Sequence, residues 1–350
     1  RQRQMCIRDR FHVTPGSDLG WRSGWARWSE YFLDCVPPML DTGRGSPTGS
    51  VVYSHFAFPS RYQDALFLAD WADGRILVTR LKPTGSSYTA STEVFLQGHP
   101  LNITDLEVGP EGGWNFITGG RGTGGGLYRV IWKGQVPPAV SNLGTGIAAA
   151  IRQPQLNSAW SRQQIAKLRT QVGASWDKQV EGVARSTANP PAYRTRALDI
   201  MQLFGPTPTE ELLISLSADK SEQVRAKTVD LMGIISSDAT QSRLVELLKD
   251  SDHSVRRKAC EALLRAEQTI ALQDLLPILE SDDRFESTAA RKLLERLPLD
   301  SWKNDVLTST SQRVVIQGCL ALAIVDPSPE NTNAIIGKFQ ELMKGFVSDR

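Results

Sequence analysis

The feature that most constrains this chain is a segment that recurs about every 31 residues through its second half. Tyr193 to Met201 aligns with Val224 to Met232 at an offset of 31, placing Arg194 over Arg225, Asp199 over Asp230 and Met201 over Met232. Val255 to Leu263 follows 31 further on, and Phe285 to Leu294 continues 30 beyond that. The stretches between keep step. Leu213, Leu244 and Leu275 share the interval, as do Leu216, Leu247 and Ile278, and Asp219, Asp250 and Ser281. Each unit has apolar residues at helical spacing on two short segments. One such helix pair cannot bury its apolar stripe alone. Stacked pairs make the stripe continuous, at roughly 25 cal/mol per Å² of apolar area removed from water, so a fixed period near 30 predicts a helical solenoid. A degenerate fifth unit spans Arg313 to Ala323 and Asn333 to Met343, with Ser328 and Pro329 placed to open its second helix.

Before about residue 135 the pattern is different. Short β-prone runs occur at Val51 to Ser54, Ala65 to Trp71, Arg75 to Lys82 and Glu93 to Gln97, with Asp73-Gly74 as a hairpin signal between two of them. Turn residues around Gly85 separate the next pair. A second set follows at Ile103 to Val108, Trp114 to Thr118 and Gly126 to Trp132. Two meanders at this spacing predict about two four-stranded blades of a β-propeller, the second missing a strand that would come from upstream. A small β-sandwich is the alternative.

Residues 134–157 carry Gly134, Pro137, Pro138, Gly144, Gly146 and Pro154 and are expected to form a linker. A helix is expected after Asn157 or Ser158, running through Val172, and another from Ser175 through Val183. The domain reading is a non-native or disordered leader at 1–10, propeller blades at 11–133, the linker, connecting helices at 158–189 and a solenoid at 190–350. The opening string, Arg1 to Arg10, resembles a translated adaptor, and the chain is expected to be a fragment whose N-terminus is truncated.

Charge narrows the function classes. The 40 basic and 38 acidic residues give a formal charge of +2, which offers no electrostatic case for nucleic acid. No run approaches the ~20 apolar residues of a membrane span. Four cysteines (Cys6, Cys35, Cys260 and Cys319) and four histidines (His12, His55, His99 and His253) show no metal-ligand or haem-attachment spacing, so no metal site is assigned. Cys260 and Cys319 fall in helical core patterns, leaving Cys35 as the cysteine open to exposure.

The arrangement Asp219…Val224-Arg225, with the similar Asp252…Val255-Arg256, resembles HEAT repeats of the short, lyase-associated kind. The resemblance implies a Val core knob and an Asp and Arg at the inter-helix turn, bridging neighbouring repeats. Arg194, Asp219, Arg225, Asp252 and Arg256 are assigned that structural role. Glu286 departs from the pattern, standing where an Arg is expected.

The first part carries Gly20 to Trp25, Gly43 to Gly49, Phe67 to Trp71 with Gly74 to Ile76, Thr104 to Pro110, and Gly119 to Gly124 followed by Leu127 to Val130. In that order the set resembles the C-terminal part of glucose/sorbosone dehydrogenase-like propellers, above all the large membrane-bound dehydrogenases of planctomycetes. Those join a propeller to HEAT repeats and a cytochrome-like C-x-x-C-H domain, which has no counterpart in this sequence. The resemblance implies oxidation of a carbohydrate or alcohol hydroxyl with pyrroloquinoline quinone and calcium, electrons passing to haem, and a periplasmic or cell-envelope location.

Such chemistry needs a base and cations for the quinone carboxylates. His55, Asp70 and Asp105 are the candidate catalytic residues. Arg44 and Arg121, in Gly-rich loops, are the candidate cofactor contacts. Each has a structural alternative: a satisfied strand histidine, turn-organising aspartates and loop-tying arginines. Trp21, Trp25 and Trp28 are read as blade packing before sugar stacking. The fragment alone is expected to be inactive, with residues 190–345 folding by themselves. The rival reading is a non-catalytic propeller and HEAT scaffold for protein or glycan binding, with a protein partner on the HEAT surface.

Overall fold

A computed structural model describes residues 9–21, 28–43 and 45–344. The architecture is antiparallel sheet followed by helices, and the chain packs as two units. Arg44, Trp25 and residues 1–8 lie outside the described residues.

The first unit holds residues 38–84 and 88–207, with the described residues before Val13. A two-residue pair, β1 (Asp9–Arg10) and β2 (Leu40–Asp41), precedes the main sheets. The first sheet is an antiparallel meander of β3 (Pro47–Tyr53), β4 (Ala65–Asp70), β5 (Arg75–Thr84) and β6 (Ser87–Gln97), in that spatial order. The second contains β7 (Ile103–Val108), β8 (Trp114–Gly120) and β9 (Thr123–Val130), also antiparallel. The β4 run is nearly all apolar because it is buried along most of its length, as a central strand requires. Gly74 makes the β4–β5 turn at φ 58°, and a Cβ there would meet the Gly98 carbonyl oxygen at 2.5 Å. Only glycine satisfies both conditions.

The two sheets share one core in which Tyr53, Phe67 and Trp114 are fully buried. The Phe67 and Trp114 ring centroids are 4.2 Å apart, and Tyr53 lies 5.2 Å from Trp114. The Tyr53 hydroxyl donates to the Gly112 carbonyl at 2.8 Å and accepts the Phe58 N–H at 3.1 Å, whereas the buried Trp114 indole nitrogen has no hydrogen-bond partner among the described residues.

Residues 134–157, expected as linker, hold two short helices, α1 (Pro138–Ser141) and α2 (Gly146–Arg152). The run Ala148 to Ala150 favours helix intrinsically, and Ala149, Ala150 and Ile151 are buried, which together outweigh the local Gly and Pro content. Gln155 then closes on the first sheet: its amide nitrogen donates to the Val52 carbonyl at 3.1 Å, and its oxygen accepts from Ser54. Helices α3 (Ala159–Val172), α4 (Trp176–Arg185) and α5 (Pro191–Phe204) complete the unit. Trp160 donates its indole N–H to the Val108 carbonyl at 3.0 Å. The α5 helix, which carries the first copy of the repeated motif, packs on α4.

The second unit holds residues 208–344, with 13–21, 28–37 and Gly85–Ser87. Its helices are α6 (Glu210–Leu216), α7 (Glu222–Met232), α8 (Asp238–Leu247), α9 (His253–Arg265), α10 (Leu272–Leu279), α11 (Arg284–Leu294), α12 (Lys303–Thr308), α13 (Gln312–Val325) and α14 (Pro329–Leu342). The second helices of successive pairs, α7, α9, α11 and α13, stack in sequence order. Val224 and Val255 occupy the same position on α7 and α9 and are both fully buried. Phe285 and Val314 continue that buried column on α11 and α13. Helix starts are marked by side chains that accept first-turn N–H groups: Thr209, Ser237, Asp252, Asp283, Ser311 and Ser328. Cys35, left open to exposure by its sequence context, is fully buried, and its thiol donates to the Phe32 carbonyl at 3.4 Å. No described helix is long and apolar enough to cross a membrane.

Candidate functional site

The sequence-derived candidates of the first unit lie at different points of its sheets. His55 follows β3 and is buried. Its Nδ1 accepts the Ala57 N–H at 3.0 Å, and its Nε2 faces the Pro110 carbonyl at 3.3 Å. Those partners match the neutral tautomer with the proton on Nε2, and burial lowers the pKa against the opposing pull of the Pro110 carbonyl. Asp70 ends β4, also buried. Its Oδ1 accepts the N–H of Ser46 at 2.7 Å and of Ala72 at 3.2 Å, while its Oδ2 pairs with Arg75 Nε at 3.1 Å. It organises the Asp73-Gly74 turn. Asp105, on β7, is exposed and accepts the N–H of Leu106 at 2.8 Å. His55, Asp70 and Asp105 make no hydrogen bond or ion pair with one another.

Arg121 sits at the tip of the β8–β9 hairpin, exposed, at φ 49°, with its guanidinium over the Trp71 ring at 5.4 Å. Trp71 donates its indole N–H to the Gly119 carbonyl at 2.7 Å, and its own carbonyl accepts from Asn102 at 2.8 Å. The cation–π pair is thus held on a fixed ring. Trp28 lies against Phe32 with centroids 5.1 Å apart and is 42% exposed.

In the second unit, guanidiniums bridge successive repeats. Arg225 forks onto Asp250, Nε to Oδ2 and Nη2 to Oδ1, both at 2.8 Å. Its Nη1 donates to the Asp219 carbonyl at 2.9 Å. Donating to the Asp250 carboxylate raises the Arg225 pKa. Burial alone would push Asp250 up, but the donors on it, Arg225 and the Asp252 N–H, hold it below the usual carboxylate range. One repeat on, Arg256 Nη1 donates to the Asp250 carbonyl at 2.6 Å, the same bond displaced by 31 residues. The carboxylate for Arg256 comes from a different place. Ser281 stands where Asp250 stood, and Glu286 on α11 takes its role, accepting from Arg256 and from the Ser281 hydroxyl at 2.8 Å, with His253 Nδ1 at 2.7 Å. Arg194, on α5, is buried and donates to the Ala184 carbonyl at 2.9 Å.

A second cluster was not singled out in the sequence. Arg284 donates to the carbonyls of Glu30, Phe32 and Cys35. Arg291 donates to those of Leu33 and Asp34 at 3.1 and 3.2 Å. Arg257 donates to the Ser86 carbonyl at 3.0 Å, and Asp283 accepts both the Ser86 N–H and hydroxyl at 2.6 Å. Burial pushes Arg284 and Arg291 below the ordinary guanidinium value. Asp283 was legible: it lies 31 residues after Asp252 and caps its helix likewise. The arginines were not, since nothing local marks a side chain whose partner is a distant carbonyl. Among the described residues no group of three or more His, Cys, Asp or Glu could hold a metal ion.

Compared with known families, residues 209–295 match HEAT repeats, a span covering the three pairs α6 to α11. No curated protein matches the chain. The C-terminal region is therefore a helical repeat array with HEAT-repeat character.

Proposed function

We propose that the helical unit acts as a non-catalytic scaffold that holds polypeptide by its main chain. The observation that carries this reading is the set of carbonyls gathered by Arg284 and Arg291, five in the stretch from Glu30 to Cys35. Recognition through carbonyl oxygens does not depend on the side chains of the bound segment. The arginine–carboxylate joints between repeats supply a stiff platform for it. The test is amide hydrogen exchange on the Arg284→Gln, Arg291→Gln double variant of the whole chain. Exchange across residues 28–37 is expected to rise about tenfold, equal to about 1.4 kcal/mol, with α7 and α9 unchanged. Unaltered exchange in 28–37 would remove the basis of the reading.

An oxidoreductase reading, that of a quinoprotein-like sugar or alcohol dehydrogenase, has Arg121 in its favour: an exposed guanidinium on an aromatic ring in a glycine-rich hairpin suits a cofactor carboxylate. His55 and Asp70 do not fit the role of base, because main-chain groups and Arg75 already occupy their polar atoms. No step through a quinone is drawn from them. Retention of pyrroloquinoline quinone in equilibrium dialysis with calcium, lost in Arg121→Ala, would support this reading. Equal retention by both chains, or none, would count against it.

A further inference from the structure

The first helices of successive pairs bury a matching residue. Leu213 on α6, Leu244 on α8, Leu275 on α10 and Val306 on α12 follow one another at intervals of 31, and each is 0% exposed. The next step, of 29 or 30, falls on Ile335 and Ile336 of α14. Ile335 is half-buried and Ile336 is 49% exposed. Where α10 buries Leu272, Leu275, Ile278 and Leu279, α14 buries only Asn331. The apolar side chains of α14 are nonetheless ordered along it. Ile335, Phe339 and Leu342 recur at i, i+4 and i+7, with Ile336 and the 72% exposed Met343 beside them.

The difference follows from position in the array. Each earlier first helix is packed by the second helix of its own pair, α7, α9, α11 or α13. Among the described residues no second helix follows α14. The α13 side of the same place is open too. Leu294, nine residues after Phe285 on α11, is fully buried, whereas Ala323, nine after Val314 on α13, is exposed and Ile324 beside it is 56% exposed. A helical array that ends on water needs a polar outer face. This one presents a helix-spaced row of Ile, Phe, Leu and Met instead.

We propose that the seat beside α13 and α14 takes an amphipathic helix of a partner protein, standing where a second helix stands in every earlier pair. The repeat register, and not exposure alone, selects a helix as the occupant, because the four matching seats each hold one. Those four helices also set its chemistry: 11 to 14 residues with an apolar stripe along one face. The seat is separate from the carbonyl contacts of Arg284 and Arg291, so this inference and the main-chain reading fail independently.

Fluorescence anisotropy with the whole chain tests this, the probes being three labelled peptides with the sequences of α7, α9 and α11. At least one is expected to bind with a Kd of about 100 µM or tighter. Ile336→Glu and Met343→Glu are each expected to weaken binding about tenfold, while Tm holds because both side chains already meet water. Leu127→Glu, at a 77% exposed position on β9, controls for adhesion to apolar surface and is expected to bind as the unsubstituted chain does. The proposal is overturned if all three peptides fail to bind at ~1 mM, if Ile336→Glu and Met343→Glu leave affinity unchanged, or if Leu127→Glu loses affinity equally. A clear fall in Tm for both α14 variants would show the row to be packed already and would overturn it as well. Sedimentation velocity gives the last outcome: a dimer abolished by Ile336→Glu would assign the seat to a second copy of this chain, against a partner's helix.

Discussion

His55 is held neutral, with Nδ1 accepting from Ala57, Nε2 facing a carbonyl and water largely excluded. Protonation would put a second donor against the Ala57 N–H. The folded-state pKa is lowered by burial, so on acidification the unfolded chain takes up the proton first. The stabilisation is complete above the unfolded value of about 6.5 and is lost as pH falls toward the depressed folded value. Denaturant-unfolding free energies measured from pH 7.5 downward are expected to decline below about pH 6.5, and a His55→Gln chain to decline less over that window. Equal slopes would show that His55 does not titrate differently on folding. Glu286 makes the complementary case. Its side chain is 1% exposed and carries the charge that faces Arg256. Glu286→Gln is expected to cost about 2–3 kcal/mol in denaturant unfolding, since it strips a partly buried guanidinium of its counter-charge. In an Arg256→Met background the same change should cost clearly less. Much of the residue-scale picture was readable: turn-organising Asp70 and the core valines follow from local pattern. The role of Glu286 was not, because it compensates for Ser281, and that exchange is visible only when loop and helix are seen in contact.

At the scale of elements, the repeat rests on two devices that recur with the same offset. One is the buried column through Val224, Val255, Phe285 and Val314; the other is the fork from an arginine to the next carboxylate. Val255→Ala removes buried methyl groups from a fully packed site and is expected to cost about 2 kcal/mol by thermal or chemical unfolding. A loss under about 0.5 kcal/mol would mean the site relaxes like a surface position. The strand and helix runs were legible because their periods differ, two against 3.6, and because Asp73-Gly74, Ser328-Pro329 and the capping aspartates mark ends by known turn chemistry. The short helices within 134–157 were hidden by their glycines and prolines. Ala148 to Ala150 have high intrinsic helix propensity, but Gly144, Gly146 and Pro154 around them mark the stretch as a linker, and burial of Ala149 to Ile151 accompanies the short helix.

For the whole molecule, the order of sheet then helix was plain from composition and period. The assignment of segments to units was less so, since residues 30–35 and Ser86 pack with the helices by carbonyl contacts that leave no sequence pattern. The sheets of the first unit and the helical array of the second are both built from short local units. The array is the part whose geometry recurs by number. Residue-resolved hydrogen exchange across positions 208–344 tests that recurrence most directly. Slow exchange is expected on α7, α9 and α11, broken by fast exchange near 219–221, 250–252 and 281–283, so that the profile repeats at an interval of about 31 residues. A profile in which Val224 and Val255 differ widely in protection, or in which no such interval appears, would contradict the repeat on which this account rests.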